Sequence, residues 1–329
     1  MQTDRKCLGC GLSLQYEDSQ KEGYAVKEDH DYCQACFKLK HYGVVITNTS
    51  KHEMPIIKKK GLIVLMTSVL HLDQLFAFSM QRHYPDFLVI YLINHVDLLP
   101  KDTNLDRLLS NIKIEARKQK IFYSDIILMS AVNKHDIEQL KQYLKSFKKM
   151  DIYLMGLQNS GKTTLFKELT NQQNALAMKK AGLTQEEMIG QFEHLTIHDM
   201  PGLYKSGYLH ELMTYNEYKR LIPDQTFKPR VYLMQKEKAL YLENLVSISH
   251  KETESISFVF YVSDQLNLRR FPKHLSGEEF EQRTIKVPVG KQQVTFADFG
   301  FMHLMGPTTL KMSVLKGLHL SITKVLFND

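Results

Sequence analysis

Two groups of residues have the types and spacing to do chemistry. The run Gly156-Leu157-Gln158-Asn159-Ser160-Gly161-Lys162-Thr163 reads G-x-x-x-x-G-K-T. Its glycines let backbone N–H groups curl around phosphate oxygens, and a helix starting there adds positive potential. Lys162 is long enough to reach β- and γ-phosphates, the Thr163 hydroxyl suits Mg2+, and Thr164 follows as a further candidate nucleotide contact. The second group is Cys7-Leu8-Gly9-Cys10 and, 22 residues on, Cys33-Gln34-Ala35-Cys36. Four thiolates in two C-x-x-C knuckles fit one tetrahedral Zn2+. The polar stretch between them cannot build a core alone, so metal would supply its folding energy. Two disulfides would need an oxidising compartment, and the first residues show neither a signal peptide nor a transit peptide; a cytoplasmic protein is expected.

The flanking elements decide what the glycine loop is. Asp151–Met155 reads as a buried strand before it and Thr164–Leu169 as a helix after it, the context that a phosphate-binding loop requires. Downstream, a strand from His194 ends in Asp199-Met200-Pro201-Gly202, a D-x-x-G. In GTPases that aspartate holds Mg2+ through water and the glycine amide senses the γ-phosphate. Thr184, in Gly182-Leu183-Thr184, is the candidate switch threonine for the Mg2+ shell. Guanine recognition needs a carboxylate for the ring N1–H and the exocyclic amine, which an N-x-x-D after a strand supplies. None follows residue 202, but one precedes the loop: strand Phe87–Ile93, then Asn94-His95-Val96-Asp97. Asp97 would bind the base edge, and Asn94 would brace the loop. A second strand, Asp125–Met129, leads to Ser130-Ala131, whose amide would meet guanine O6. An amphipathic helix follows, marked by Ile137, Leu140, Leu144 and Phe147. The order is base specificity, base support, phosphate loop, switch threonine, D-x-x-G, which is the rotated order of a circularly permuted GTPase. An ATPase or nucleotide kinase, with Asn94–Asp97 a surface turn, stays open as the alternative, as does an RNA-binding scaffold gated by nucleotide with negligible turnover.

At this point the chain resembles the YqeH-type ribosome-assembly GTPases. The likeness rests on the C-x-G-C-G knuckle, the second C-x-x-C followed by Phe37-Lys38-Leu39-Lys40-His41-Tyr42, the permuted core, and Lys228-Pro229-Arg230-Val231-Tyr232. It covers nearly the whole chain. The family's zinc ligands fall on Cys7, Cys10, Cys33 and Cys36, its N-x-G-K-S loop on Asn159–Thr163, its switch threonine on Thr184, and its D-T-P-G on Asp199 and Gly202. The resemblance implies a role in maturing the small (30S) ribosomal subunit, with rRNA or a precursor particle as partner. Several positions depart from the pattern. His95 replaces the lysine of N-K-x-D, Ala181-Gly182-Leu183-Thr184 replaces P-G-T-T, and Thr67 stands where an aspartate is expected.

Leu203 follows the D-x-x-G where a glutamine orients water in Ras-like enzymes, so intrinsic hydrolysis is expected to be slow. Asn159 is a candidate K+ ligand near the β–γ bridge, although it could equally just shape the loop. The net charge is 43 − 36 = +7, or about +5 with one zinc on four thiolates, a mild excess suited to a polyanionic partner. No apolar run is long enough to span a membrane, and a monomer is expected. The expected architecture is α/β: a zinc module over 1–42, a permuted P-loop GTPase domain over 43–212, and a β-rich domain over 213–329. In the last, Ile256, Phe258, Phe260 and Val262 alternate onto one face, as do Leu310, Met312 and Val314, with Gly/Pro punctuation at Gly277, Pro288–Gly290 and Gly306-Pro307. That domain carries 16 Lys/Arg and 12 Asp/Glu. Its Arg269-Arg270-Phe271-Pro272-Lys273 is the densest basic cluster and a candidate RNA contact, with a solvated loop the plainer reading. The 14 histidines show no ligand-like spacing.

Overall fold

A computed structural model describes residues 5–8, 13–17, 23–27, 30–34, 36, 54–57, 59–78, 80–171 and 187–327. The chain divides into two compact units, each built from three stretches. The first comprises 1–69, 74–96 and 113–205; the second comprises 70–73, 97–112 and 206–329.

The first unit holds a six-stranded sheet. Its strands are β1 (Gly61–Ser68), β2 (Leu88–Asn94), β3 (Asp125–Leu128), β4 (Asp151–Gly156), β5 (Met188–Phe192) and β6 (Leu195–Asp199), in the order β3-β2-β1-β4-β6-β5. All neighbours are parallel except β5, which runs against β6. The apolar runs of β1 and β4 are buried along their whole length, as strands covered on both faces must be. The chain walks outward from β1 to β3 and returns to β4 on the other side of β1. That reversal makes a crevice at the carboxyl ends of β1 and β4, where open α/β sheets bind ligands. Helix α1 (Leu105–Lys118) links β2 to β3. Helix α2 (Lys134–Lys145) starts at Asn133, whose side chain accepts from the His135 amide, and buries Ile137, Leu140 and Leu144. Helix α3 (Lys162–Thr170) buries Leu165, Phe166 and Leu169 on the same core.

The second unit is dominated by an antiparallel sheet of β7 (Arg230–Gln235), β8 (Ala239–Leu242), β9 (Val246–His250), β10 (Ser255–Val262), β11 (Leu268–Phe271), β12 (Phe280–Phe296), β13 (Gly300–Leu315) and β14 (Leu320–Lys324). The alternation expected for Ile256, Phe258 and Phe260, and for Leu310, Met312 and Val314, places those side chains in one core. The punctuation at Pro288–Gly290 and Gly306-Pro307 does not end strands. It lies inside β12 and β13, where the register shifts between Val287 and Gly290 and Gly290 pairs with Gly306. Facing kinks let both strands bend together, and a Cβ on Gly306 would lie 1.9 Å from the Pro288 carbonyl oxygen.

Candidate nucleotide site and N-terminal cysteine cluster

Parallel register puts the last residues of four strands on one edge: Ser68 opposite Asn94, Met66 opposite Gly156, and Asp199 opposite Leu154. Asn94 is fully buried there. Its Nδ2 donates to the Ser160 carbonyl at 2.9 Å, and its Oδ1 accepts from the Ala131 amide at 2.8 Å. A primary amide can do both at once, whereas a carboxylate has no donor. The Ser130 amide donates to Asp136 Oδ2 in the first turn of α2 (2.8 Å). One side chain thus joins the Ser130-Ala131 turn to the glycine loop.

The loop's glycines answer to packing. Gly156 has φ +142°, and a Cβ there would sit 2.0 Å from the Met66 carbonyl oxygen. Gly161 has φ +89°, and a Cβ there would sit 2.1 Å from Asn94 Nδ2. Asn159 adopts φ +58°, a conformation asparagine tolerates better than most residues. Lys162 is buried, with Nζ donating to the Gly156 and Leu157 carbonyls at 3.1 and 3.0 Å. Burial pushes its pKa down to about 8, opposed by the Asp199 charge. Thr163 Oγ1 donates to Asp199 Oδ2 at 2.8 Å, so the two expected Mg2+ contacts lie side by side. The glycine cradle, the curled ammonium and this oxygen pair fit a Mg2+-bound nucleoside triphosphate.

Gly202 is buried beside them. A Cβ on it would lie 3.6 Å from Lys162 Nζ and 3.2 Å from Gln158 Cγ. The Leu203 amide donates to the Gly156 carbonyl at 2.9 Å, tying the D-x-x-G segment to the loop. The Leu203 side chain is buried. His95 has φ +64°; its Nδ1 lies 2.9 Å from Ser68 Oγ, and its Nε2 is 3.6 Å from a Cβ on Gly161. Asp97 is exposed in the 3-10 turn Val96–Leu98, within the second unit, where its carbonyl accepts the Thr226 hydroxyl at 2.8 Å. Thr164 is half-buried in the first turn of α3. Thr184 lies outside the described residues.

Three participants had no signal in the sequence. Ser68 acts only through the register of β1 on β2. Gln158 occupies a variable position of the loop. His198 Nδ1 meets Glu187 Oε1 at 2.5 Å and its Nε2 meets Asp151 Oδ1 at 3.0 Å, with the ring stacked 4.5 Å from Tyr153. Both partners are carboxylates. Burial raises the Asp151 pKa, but hydrogen bonds from Lys59 and His198 outweigh that and hold it below the ordinary range. Glu187, three residues after Thr184, is thereby fixed to β6.

At the N-terminus the Sγ atoms of Cys7, Cys33 and Cys36 are buried and lie within 4.8 Å of one another. The Cys33 amide donates to Cys7 Sγ at 3.2 Å and the Cys36 amide to Cys33 Sγ at 3.5 Å, as in knuckles whose amides point at metal-bound sulfur. Tetrahedral Zn–S bonds of about 2.3 Å set sulfurs roughly 3.8 Å apart, so the cluster fits zinc. Cys10 lies outside the described residues. Leu14 and Ala25 complete the small core.

The chain is similar to several known proteins. The profile of a family described as 50S ribosome-binding GTPase matches residues 151–263. YqeH of Bacillus subtilis (strain 168) is 24% identical over 307 residues, covering 88% of this chain and 84% of its own length. The GTP-binding protein MJ1464 of Methanocaldococcus jannaschii is 28% identical over 122 residues, 35% of this chain and 30% of that protein. Among solved structures, GNP-bound YlqF from T. maritima shows 17% identity, TM-score 0.31, and covers 45% of this chain and 54% of its own. YjeQ from Thermotoga maritima shows 22% identity, TM-score 0.29, and covers 46% and 51%. The resemblance to YqeH holds over most of the chain, and the GTPase profile match over 151–263 implies GTP or GDP as nucleotide with Mg2+. Among the described residues no helix is long and apolar enough to cross a membrane.

Proposed function

We propose that this chain is a GTP-dependent assembly factor that binds a precursor of the small ribosomal subunit and hydrolyses GTP slowly until the particle stimulates it. The observation that supports the switch most directly is Asn94. Its amide joins the base-side turn at Ala131 to the phosphate loop at Ser160, 37 and 66 residues away. Its complete burial is at odds with a surface turn at Asn94. In this reading Asp97 reads the guanine edge, Ser130-Ala131 backs the base, and Gly156, Asn159, Ser160, Gly161 and Thr164 line the phosphates. Lys162 neutralises charge as it develops. Thr163, Thr184 and Asp199 hold Mg2+, and Gly202 senses the γ-phosphate. Bound Mg2+ supplies further neutralisation of the β- and γ-phosphate oxygens. Cys7, Cys10, Cys33 and Cys36 bind one zinc.

The slow-turnover reading rests on Leu203, which is buried and apolar at the position after D-x-x-G where Ras-like enzymes carry a water-orienting glutamine. K+ near Asn159 is a further element of the reading; equal rates in K+ and Na+ buffers would remove it. The particle assignment rests on the likeness to YqeH-type proteins, whereas the matched family profile carries a 50S description. Sedimentation with 30S and 50S precursors, in GTP and in GDP, tests it. Retention on 30S precursors only with GTP is expected. Retention on 50S particles, or none with either nucleotide, defeats it. Competition of GTP, GDP and ATP for one site excludes or admits an ATPase.

A further inference from the structure

The γ-phosphate end of the site holds one side chain without a role. Gln158 is 4% exposed, and its Oε1 has no hydrogen-bond partner among the described residues. Buried amide oxygens are almost always satisfied, so such a group calls for an explanation. Its surroundings supply one. The Gln158 Cγ and Lys162 Nζ lie 3.2 and 3.6 Å from the point a Cβ on Gly202 would occupy. The Gln158 side chain and the Lys162 ammonium therefore both border Gly202, the glycine read as the γ-phosphate sensor, and Gln158 lies on the loop itself. Leu203 leaves the usual water-orienting position apolar.

We propose that Gln158 is a catalytic residue that orients the attacking water, replacing from within the phosphate loop what Leu203 cannot provide. The inference rests on the GTPase reading of this site. The Gln158 Oε1 accepts a hydrogen bond from the water, whose oxygen bonds to Pγ. The bond from Pγ to the β–γ bridging oxygen breaks, and GDP leaves with its electron pair. An amide is no base, so the water's proton passes to a γ-phosphate oxygen and leaves on inorganic phosphate. Gln158 orders the nucleophile and takes nothing from it.

The test is single-turnover cleavage of preloaded GTP by Gln158→Met, which keeps an unbranched side chain of the same length and removes the amide, beside separate measurement of GTP and GDP affinity. Cleavage is expected to fall roughly 100–1,000-fold, the range for loss of one positioned polar group, with affinities within about threefold. Binding of GDP with aluminium fluoride should weaken in parallel, while GDP binding reports that the variant is folded. Unchanged or faster cleavage overturns the assignment, and so does a matched loss of affinity and rate, which marks a packing role. Wild-type protein that binds GTP and never cleaves it, even with ribosomal precursors, overturns the enzymatic reading underneath; loss confined to the variant does not touch that reading.

Discussion

Asn94 is fully buried and satisfies a donor and an acceptor from two loops, so its replacements separate the two bonds. Asn94→Asp keeps an acceptor for the Ala131 amide but sets a carboxylate against the Ser160 carbonyl. Loss of about 1–3 kcal/mol is expected from the unsatisfied buried group, with at least tenfold weaker binding of a fluorescent GDP analogue; a melt and a titration check both. Asn94→Ala removes both bonds, and should weaken binding similarly with at least as large a loss of stability. A second residue argument concerns acid. Burial pushes His303 down to about 3, with Lys291 adding to the effect. Its Nε2 is paired with Gln293 at 3.1 Å. The unfolded chain therefore binds the extra proton between about 6.5 and 3, and stability contributed by neutral His303 is lost as pH falls through that window. Burial raises Asp298 to about 6, so there the folded state binds the extra proton between about 6 and 3.8, and stability rises as pH falls. His303→Gln isolates the first effect: denaturant midpoints between pH 7 and 4 should fall less steeply than in wild type. Neither group was legible beforehand, because the burial of His303 depends on which face of β13 the sheet turns inward, and that of Asp298 on how the turn between β12 and β13 packs.

Strands and loops were read from the sequence more fully. The apolar runs of β2 and β4 and the glycines after β4 are local signals, and so is the Asn94–Asp97 spacing. What could not be read is pairing. That Ser68 meets His95, or that Met66 presses on Gly156, depends on β1 lying between β2 and β4 in one register. The kinked β12 and β13 make the same point: Gly290 and Gly306 each look like a strand end, and only their pairing shows a shared bend. The Met66 contact predicts that Gly156→Ala forces β1 and β4 apart. Backbone strain with overpacking should cost about 2–4 kcal/mol, seen as a lower melting temperature and loss of nucleotide binding. A variant as stable as wild type would contradict the register.

On the scale of the whole molecule, the cysteine cluster is tied by the Cys33 and Cys36 amides to sulfur, and the nucleotide site by Asn94, Lys162 and the Thr163–Asp199 pair. Metal analysis should find one zinc per chain, and Cys33→Ser should lose it while GDP affinity stays within about twofold. A parallel fall in GDP affinity would show that the cysteine cluster supports the nucleotide site. The two-unit division was not legible, because 70–73 and 97–112 join the residues beyond 205 through tertiary contacts alone, such as His319 with Asp73 (2.9 Å) and Asn111 with the Leu326 carbonyl (2.8 Å).

The Asn94–Ser160 bond also sets a clock on synthesis. Its partners are 66 residues apart, so at about 5–20 residues per second the amide is made roughly 3–13 s before its acceptor. Through that interval β1 lacks β4, and the base-side strands are exposed to whatever waits at the ribosome exit. A protein read here as serving the assembly of ribosomes would thus be most vulnerable while one is making it.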